Sequence, residues 1–333
     1  MLYSRRFAPT LLVYLLALGL LVLSFLLAIS LGAANIPLDE VWRLLFYPEG
    51  SNNALIVHTL RLPRAIVAAL VGACLGVAGA MMQGITRNPL SEPGIMGVNA
   101  GAVLAILVAL VFFPDLPPWS TVVVAAVGGV GAAVLVYSIT LSVGLTPVRL
   151  ALAGIAVGSM LGAAASFLLI IFEDRTRGVL FSLSGSVAGR TWEHVWTLLP
   201  WAVPALLLAL ILSHQVNLLS LGEDVARGLG TRVEVIRLVS TTLAVLLAGA
   251  AVSVAGPIGF LGLMVPHAAR GLVGPDYRRV IPLSAILGAS LMLLSDLAAR
   301  LIDKPLETPV GILIAGLGAP FLVYVARRMA VRD

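Results

Sequence analysis

One lysine, Lys304, occurs in the whole chain, and it is followed by Pro305. A phosphate-cradling P-loop needs a lysine between Gly and Ser or Thr, so the chain cannot hydrolyse ATP by itself. Thiol and metal chemistry are equally poorly served. Cys74 stands alone inside an apolar run; a disulfide framework and a cysteine metal site are excluded by arithmetic, and the residue reads as a small buried hydrophobe. His58, His194, His214 and His267 have no ligand-like spacing and read as interface or loop residues. Of the 16 acidic residues, only Asp296 in LLSDLAAR falls clearly within an apolar run, near one end, while Glu92 is expected at a junction. The intramembrane acid and histidine relays of gradient-driven transporters are not visible. Secondary transport is thereby weakened, and a channel stays open as an alternative. Neither catalytic nor metal-ligating residues are expected.

The elements that must carry the remaining chemistry are membrane helices. The 333 residues are 60% hydrophobic and 11% charged, with a mean hydropathy of +1.06, whereas soluble domains carry about 25% charged residues. Apolar runs of roughly 20 residues recur, which implies helices rather than the alternating strands of a barrel. Arg5 and Arg6 precede a run from Pro9 to Ala34, too long for a cleavable signal and read as a retained span. Ten spans are expected near 10–33, 61–83, 94–113, 119–142, 149–172, 193–213, 235–255, 258–273, 280–301 and 308–326. The fold class is therefore an all-α, polytopic bundle of about ten transmembrane helices, with residues 1–333 forming a single membrane domain. An even count places both termini on one side. If that side is cytoplasmic, thirteen of the 21 basic residues fall inside, in the sense of the positive-inside rule. Outside, residues 36–46 read as a short surface helix.

Three patterns point to binding rather than catalysis. RLPR sets Arg61 and Arg64 at the outer mouth of the second span, and DLAAR sets Arg300 at the outer end of the ninth. Cations on the side that disfavours them either steer and fix an acidic soluble partner or snorkel to headgroups. In NLLSLGEDVARGLG, Leu218, Leu221, Val225 and Leu229 share one helical face, with Glu223 and Asp224 toward one end and Arg227 opposite. A short amphipathic helix of this kind suits a partner's groove or lies on the membrane surface. Finally, RNPLSEPGIMGVNAGA (87–102) and GPIGFLGLMVPH (256–267) interrupt their spans with Pro and Gly. Such breaks are tolerated where backbone is buried in protein or lines a cavity, and a pair of them suggests an internal repeat beside a pathway.

The run from Arg61 to Ala102 closely resembles the signature of the FecCD-type permeases, the membrane subunits of importers for iron–siderophores, haem and cobalamin. The match continues through 217–230, 256–300 and 309–328. The resemblance implies a permease that pairs with a second copy or close paralogue, two cytoplasmic ATP-binding-cassette ATPase subunits and one soluble binding protein, in the bacterial cytoplasmic (inner) membrane with both termini cytoplasmic. Nucleic acid has no place in it, and ATP and Mg belong to the ATPase partner. The segment at about 214–238 then becomes the coupling element, with Leu218, Leu221, Glu223, Asp224, Val225, Arg227 and Leu229 meeting the ATPase. Arg61, Arg64 and Arg300 become docking residues for the binding protein. Asn88, Leu90, Gly94, Thr146 and Pro147 fall near the inner gate. SLSGSVAGRTW (182–192) resembles siderophore permeases more than haem or cobalamin ones, so an iron(III)–siderophore is the expected cargo. The alternatives are haem or cobalamin, or, in another class, a self-sufficient transporter or channel.

Overall fold

The computed structural model describes residues 10–32, 35–47, 51–117, 119–143, 147–176, 184–302 and 307–330. Within them each of the ten expected spans is a helix: α1 (Thr10–Ser30), α3 (Asn52–Thr86), α4 (Val98–Phe112), α5 (Ser120–Val143), α6 (Pro147–Ile171), α7 (Trp192–Ser220), α9 (Val233–Ala255), α10 (Leu261–Val273), α11 (Tyr277–Ile302) and α12 (Val310–Ala330). Short helices also join them, among them α2 (Leu38–Phe46), α8 (Glu223–Gly228) and a single turn at Glu173–Thr176. Seven of the ten are long and apolar enough to cross a membrane; α4, α10 and the apolar part of α12 are shorter. With no water at that depth to serve the backbone, helices satisfy their own N–H and C=O groups. The expected surface helix is α2, which buries Val41 and Leu44 and carries Asp39 and Glu40 in its first turn, where the helix dipole favours negative charge.

α3 departs from expectation by beginning nine residues early. Ser51 caps it, its hydroxyl accepting from the Ala54 N–H at 3.1 Å, and the helix runs through a π-helical stretch, Ile56–Arg61, and past Pro63. Its 35 residues span about 50 Å, well beyond the roughly 30 Å of a hydrocarbon core. Arg61 and Arg64 therefore sit within a helix and not at the mouth where one starts.

The bundle is built around α3, whose most apolar stretch is 78% buried against 17% for that of α6. α3 packs on α7, α9, α10 and α11, while α1 leans on α11, and α4, α5 and α6 form a second group against α9. Lipid supplies no hydrophobic drive between helices, so close backbone approach must do the work. Gly72 of α3 meets Gly288 of α11, and Gly79 of α3 meets Gly262 of α10; a β-carbon at Gly72, Gly288 or Gly79 would overlap the facing backbone, and one at Gly262 would lie a tight 3.1 Å from the Leu75 carbonyl oxygen.

Both interrupted stretches are present. The first turns at Arg87 and passes through a 3-10 turn at Pro93–Met96 before α4. The second, residues 256–260, leads into α10, the first turn of which packs on Gly79. Gly79 lies seven residues before the end of α3, about 10 Å along its axis, so α10 begins at depth inside the bundle.

Gly79→Ala should thus destabilise the purified protein by about 1–3 kcal/mol or more, as is typical of overpacking, and so lower its thermal midpoint. Gly162→Ala, where an added methyl meets nothing within 4 Å, should leave it unchanged or slightly raised in the same melting experiment.

Candidate functional site

The three arginines expected to face a partner are drawn inward. Arg61 is 7% exposed, and its Nη1 donates to the carbonyls of Ile29 at 2.6 Å and Ser30 at 2.8 Å. Arg300 donates from Nη2 to the Ala28 carbonyl at 3.0 Å and lies 3.3 Å from the Asp296 carboxylate. Those carbonyls belong to the last turn of α1, where no intrahelical donor remains and the negative end of the dipole favours cations. Arg64 grips Asp296 through Nε and Nη2, the latter at 2.8 Å, and Glu307 through Nη1 at 2.8 Å. Asp296 is buried, with 3% of its side chain exposed, whereas Glu307 keeps 38%. The expectation of exposed cations is corrected on this point. Arg64 and Arg300 share the Asp296 carboxylate, and with Arg61 on the α1 carbonyls they staple α1, α3 and α11 together, because a buried charge without a partner is far costlier than a paired one.

The segment expected to couple to an ATPase also differs from its expected form. The single helix expected over 217–230 is broken at Gly222, with a φ of 120° that side-chain-bearing residues rarely adopt. Leu218 ends up in the last turn of α7, packed with Leu219, Ala226 and Val233. Leu221, Val225 and Leu229 remain on the outside, 61%, 49% and 62% exposed, as an apolar tip. The charges turn the other way. Glu223 pairs with Arg237 and, at 3.6 Å, with Arg227. Arg227 reaches Glu234 at 3.2 Å, and Arg237 reaches Glu234 at 3.5 Å. This closed ring of four charges ties α8 to the first turns of α9. Asp224 is exposed outside it.

At the first interruption, Arg87 takes a left-handed conformation, φ 51°, ending α3. The Asn88 side chain then accepts from the Leu90 N–H at 2.9 Å, and its carbonyl accepts from Ser91 at 3.1 Å, the turn chemistry typical of Asn. Leu90 is half-buried. Gly94 packs against the side chains of Asn99 and Glu92. Pro147 opens α6, and Thr146 lies outside the described residues. Glu92, expected at a junction, is instead 8% exposed and accepts from the Phe260 N–H at 3.4 Å.

Sequence reasoning missed Glu307, Glu234 and Arg237 and the depth of Glu92. Local signals were left by Asp296–Arg300 and Glu223–Arg227, at i and i+4, and by Glu234–Arg237, at i and i+3. Two of the histidines serve structure: the His58 ring bonds to the Leu44 carbonyl at 2.8 Å, and His267 packs edge-on against Phe321. Among the described residues no group of three His, Cys, Asp or Glu could hold a metal ion.

Helices long and apolar enough to cross a membrane, an exposed apolar tip and interrupted spans fit a multi-pass membrane transport protein, not an enzyme. The chain belongs to the FecCD transport family, the family model of which matches residues 20–328. It is 43% identical over 325 residues to the Fe(3+)-citrate import system permease protein YfmD of Bacillus subtilis, covering 98% of this chain and 97% of that protein. It is 46% identical to the iron(3+)-hydroxamate import system permease protein FhuB of the same organism, covering 98% and 85%. The Escherichia coli Fe(3+) dicitrate transport system permease protein FecC is 41% identical, with 82% and 83% covered. Among solved structures, a protein assigned as a metal-chelate type ABC transporter, in an inward-facing conformation, superposes with a TM-score of 0.80. It is 29% identical and covers 95% of this chain and 99% of that one.

Asp296→Asn should leave Arg64 and Arg300 buried with a neutral partner and lower stability by about 3–5 kcal/mol. Glu307→Gln, at the exposed rim, should cost less than about 1 kcal/mol. Thermal unfolding of the two variants side by side checks the order.

Proposed function

We propose that this chain is the membrane-spanning permease of an ATP-binding-cassette importer that moves an iron(III)–siderophore complex inward across a bacterial cytoplasmic membrane. It does so as one membrane domain with both termini cytoplasmic, paired with a second permease copy and served by two ATPase subunits and a soluble binding protein. The observation that carries the reading is the apolar tip of Leu221, Val225 and Leu229, exposed yet fixed by a ring of charges, on a chain without a P-loop. A rigid apolar knob suits the groove of a motor subunit. The relatives that transport ferric citrate and ferric hydroxamate support an iron chelate as cargo. Nucleotide energy reaches the pathway only through different contacts in two states of the permease; no covalent step occurs in this chain.

Docking of the binding protein at the arginine cluster is an exchange. Asp296 is too deeply enclosed to be displaced, whereas Glu307 stands at the rim, and an incoming carboxylate would take its place on Arg64. Asn88, Leu90, Gly94, Thr146 and Pro147 form the inner gate in this reading.

Two measurements test it. Leu221→Asp with Val225→Asp should abolish co-purification of the ATPase while the permease itself remains folded; full ATPase retention refutes the coupling role. Glu307→Gln should tighten binding-protein affinity several-fold and Arg64→Gln should weaken it. Equal affinity in both variants refutes docking at this cluster. Vesicles holding this chain alone should take up neither ferric hydroxamate nor ferric citrate until the ATPase and ATP are supplied.

A further inference from the structure

Glu92 is the unusual acid of this chain. It is buried to 8% exposure, and among the described residues no cation pairs with it, in contrast to Asp296, which holds two arginines. What faces it is backbone: the Phe260 N–H at 3.4 Å and the start of α10 beside Gly262. The N-terminus of a helix carries a partial positive charge and unsatisfied N–H groups, and α10 is long enough, at 13 residues, to present one. Backbone N–H groups of Phe260 and Leu263 and half a dipole, with no cation, compensate a desolvated carboxylate only in part. The contact is therefore poised rather than locked.

Its position gives that poise a use. Glu92 belongs to the first interruption and Phe260 to the second. Among the described residues, the two non-glycines with positive φ are Arg87 at 51° and Phe260 at 65°, one in each interruption. Backbone strain of this kind persists where the surroundings enforce it and clusters at moving or functional sites. Each side of the contact also leads to a helix with an open flank. From Glu92 the chain enters the 3-10 turn, which packs on α6, with Gly97 beside Gly154 and Gly158. From Phe260, the side chain lies directly on Gly318 of α12. α6 exposes Ile155 and Phe167, and α12 exposes Ile312 and Leu317.

The geometry points to Glu92 as a positioning residue that, through its carboxylate on the start of α10, makes α6 and α12 move together when the transporter changes state. Its negative charge, and not only its acceptor oxygens, holds the two interruptions in one body. The inference goes beyond the importer reading and presumes it for its test.

The assembled transporter in lipid discs is labelled at Ile155→Cys and Leu317→Cys, both exposed; the native Cys74 is fully buried and stays out of the reaction. Spin-label distances with and without nucleotide, and ferric-chelate uptake per ATP hydrolysed, are then compared. The wild type should show one nucleotide-dependent distance change. Glu92→Gln, which keeps size and an acceptor but drops the charge, should broaden or lose that change and cut uptake per ATP about tenfold, with ATP hydrolysis continuing. Glu92→Asp should restore part of both, and Glu92→Ala should be worse than Glu92→Gln. A Glu92→Gln transporter with the wild-type distance change and uptake ratio overturns the inference. So does one that only melts earlier. Should the wild type itself show no nucleotide dependence in either readout, the importer reading fails instead.

Discussion

The contact between Gly79 and Gly262 is the constraint on which most of the architecture depends. Two peptide backbones lie against each other with no side chain between them, which lipid-embedded helices require because their solvent is as apolar as they are. That contact sets where α10 starts. Since it starts within the bundle, its first N–H groups cannot be left to water and must find an acceptor from the protein. Glu92 supplies one. A packing requirement on α3 thus becomes an electrostatic arrangement between the two interrupted stretches.

Charge is used in two opposite ways elsewhere. At one end of the bundle, arginines are taken inside, where Arg64 and Arg300 meet on the Asp296 carboxylate and Arg61 and Arg300 hold the α1 carbonyls, so that three helices are joined. At α8, four charges remain at the surface and close on themselves. Individually such exposed pairs are worth little. As a ring they orient the short helix, which leaves its apolar residues outward.

Much of the fold was legible in the sequence. The ten apolar segments stand out because each must bury its backbone in lipid by itself, and their ends match the expected ones to within a few residues except at the start of α3 and at the end of α7, which runs seven residues past the expected 213. There the polar Asn52, Asn53 and His58 hid a helix that Ser51 caps, and that Pro63 does not interrupt. The candidate sites were legible only as residue types. Arg64 and Asp296 are 232 residues apart, and nothing local announces that pairing. The pattern of Leu218, Leu221, Val225 and Leu229 fits one helix by spacing, yet Gly222 breaks it and sends Leu218 inward. Glu92 looked like a junction residue because proline and glycine surround it; its depth follows from the fold of the interruption and not from its neighbours.

The ring of charges fastens α8 to one tip of α9, and α9 is an uninterrupted rod of 23 residues, about 34 Å long. Its other tip, Ala255, accepts a hydrogen bond from Ser186 at 2.8 Å and leads directly into the Gly256–Phe260 stretch. Rods of this kind act as levers: a tilt of about five degrees about one tip carries the other through about 3 Å. A small shove on the apolar knob would therefore arrive, nearly undiminished, at the far end of the molecule.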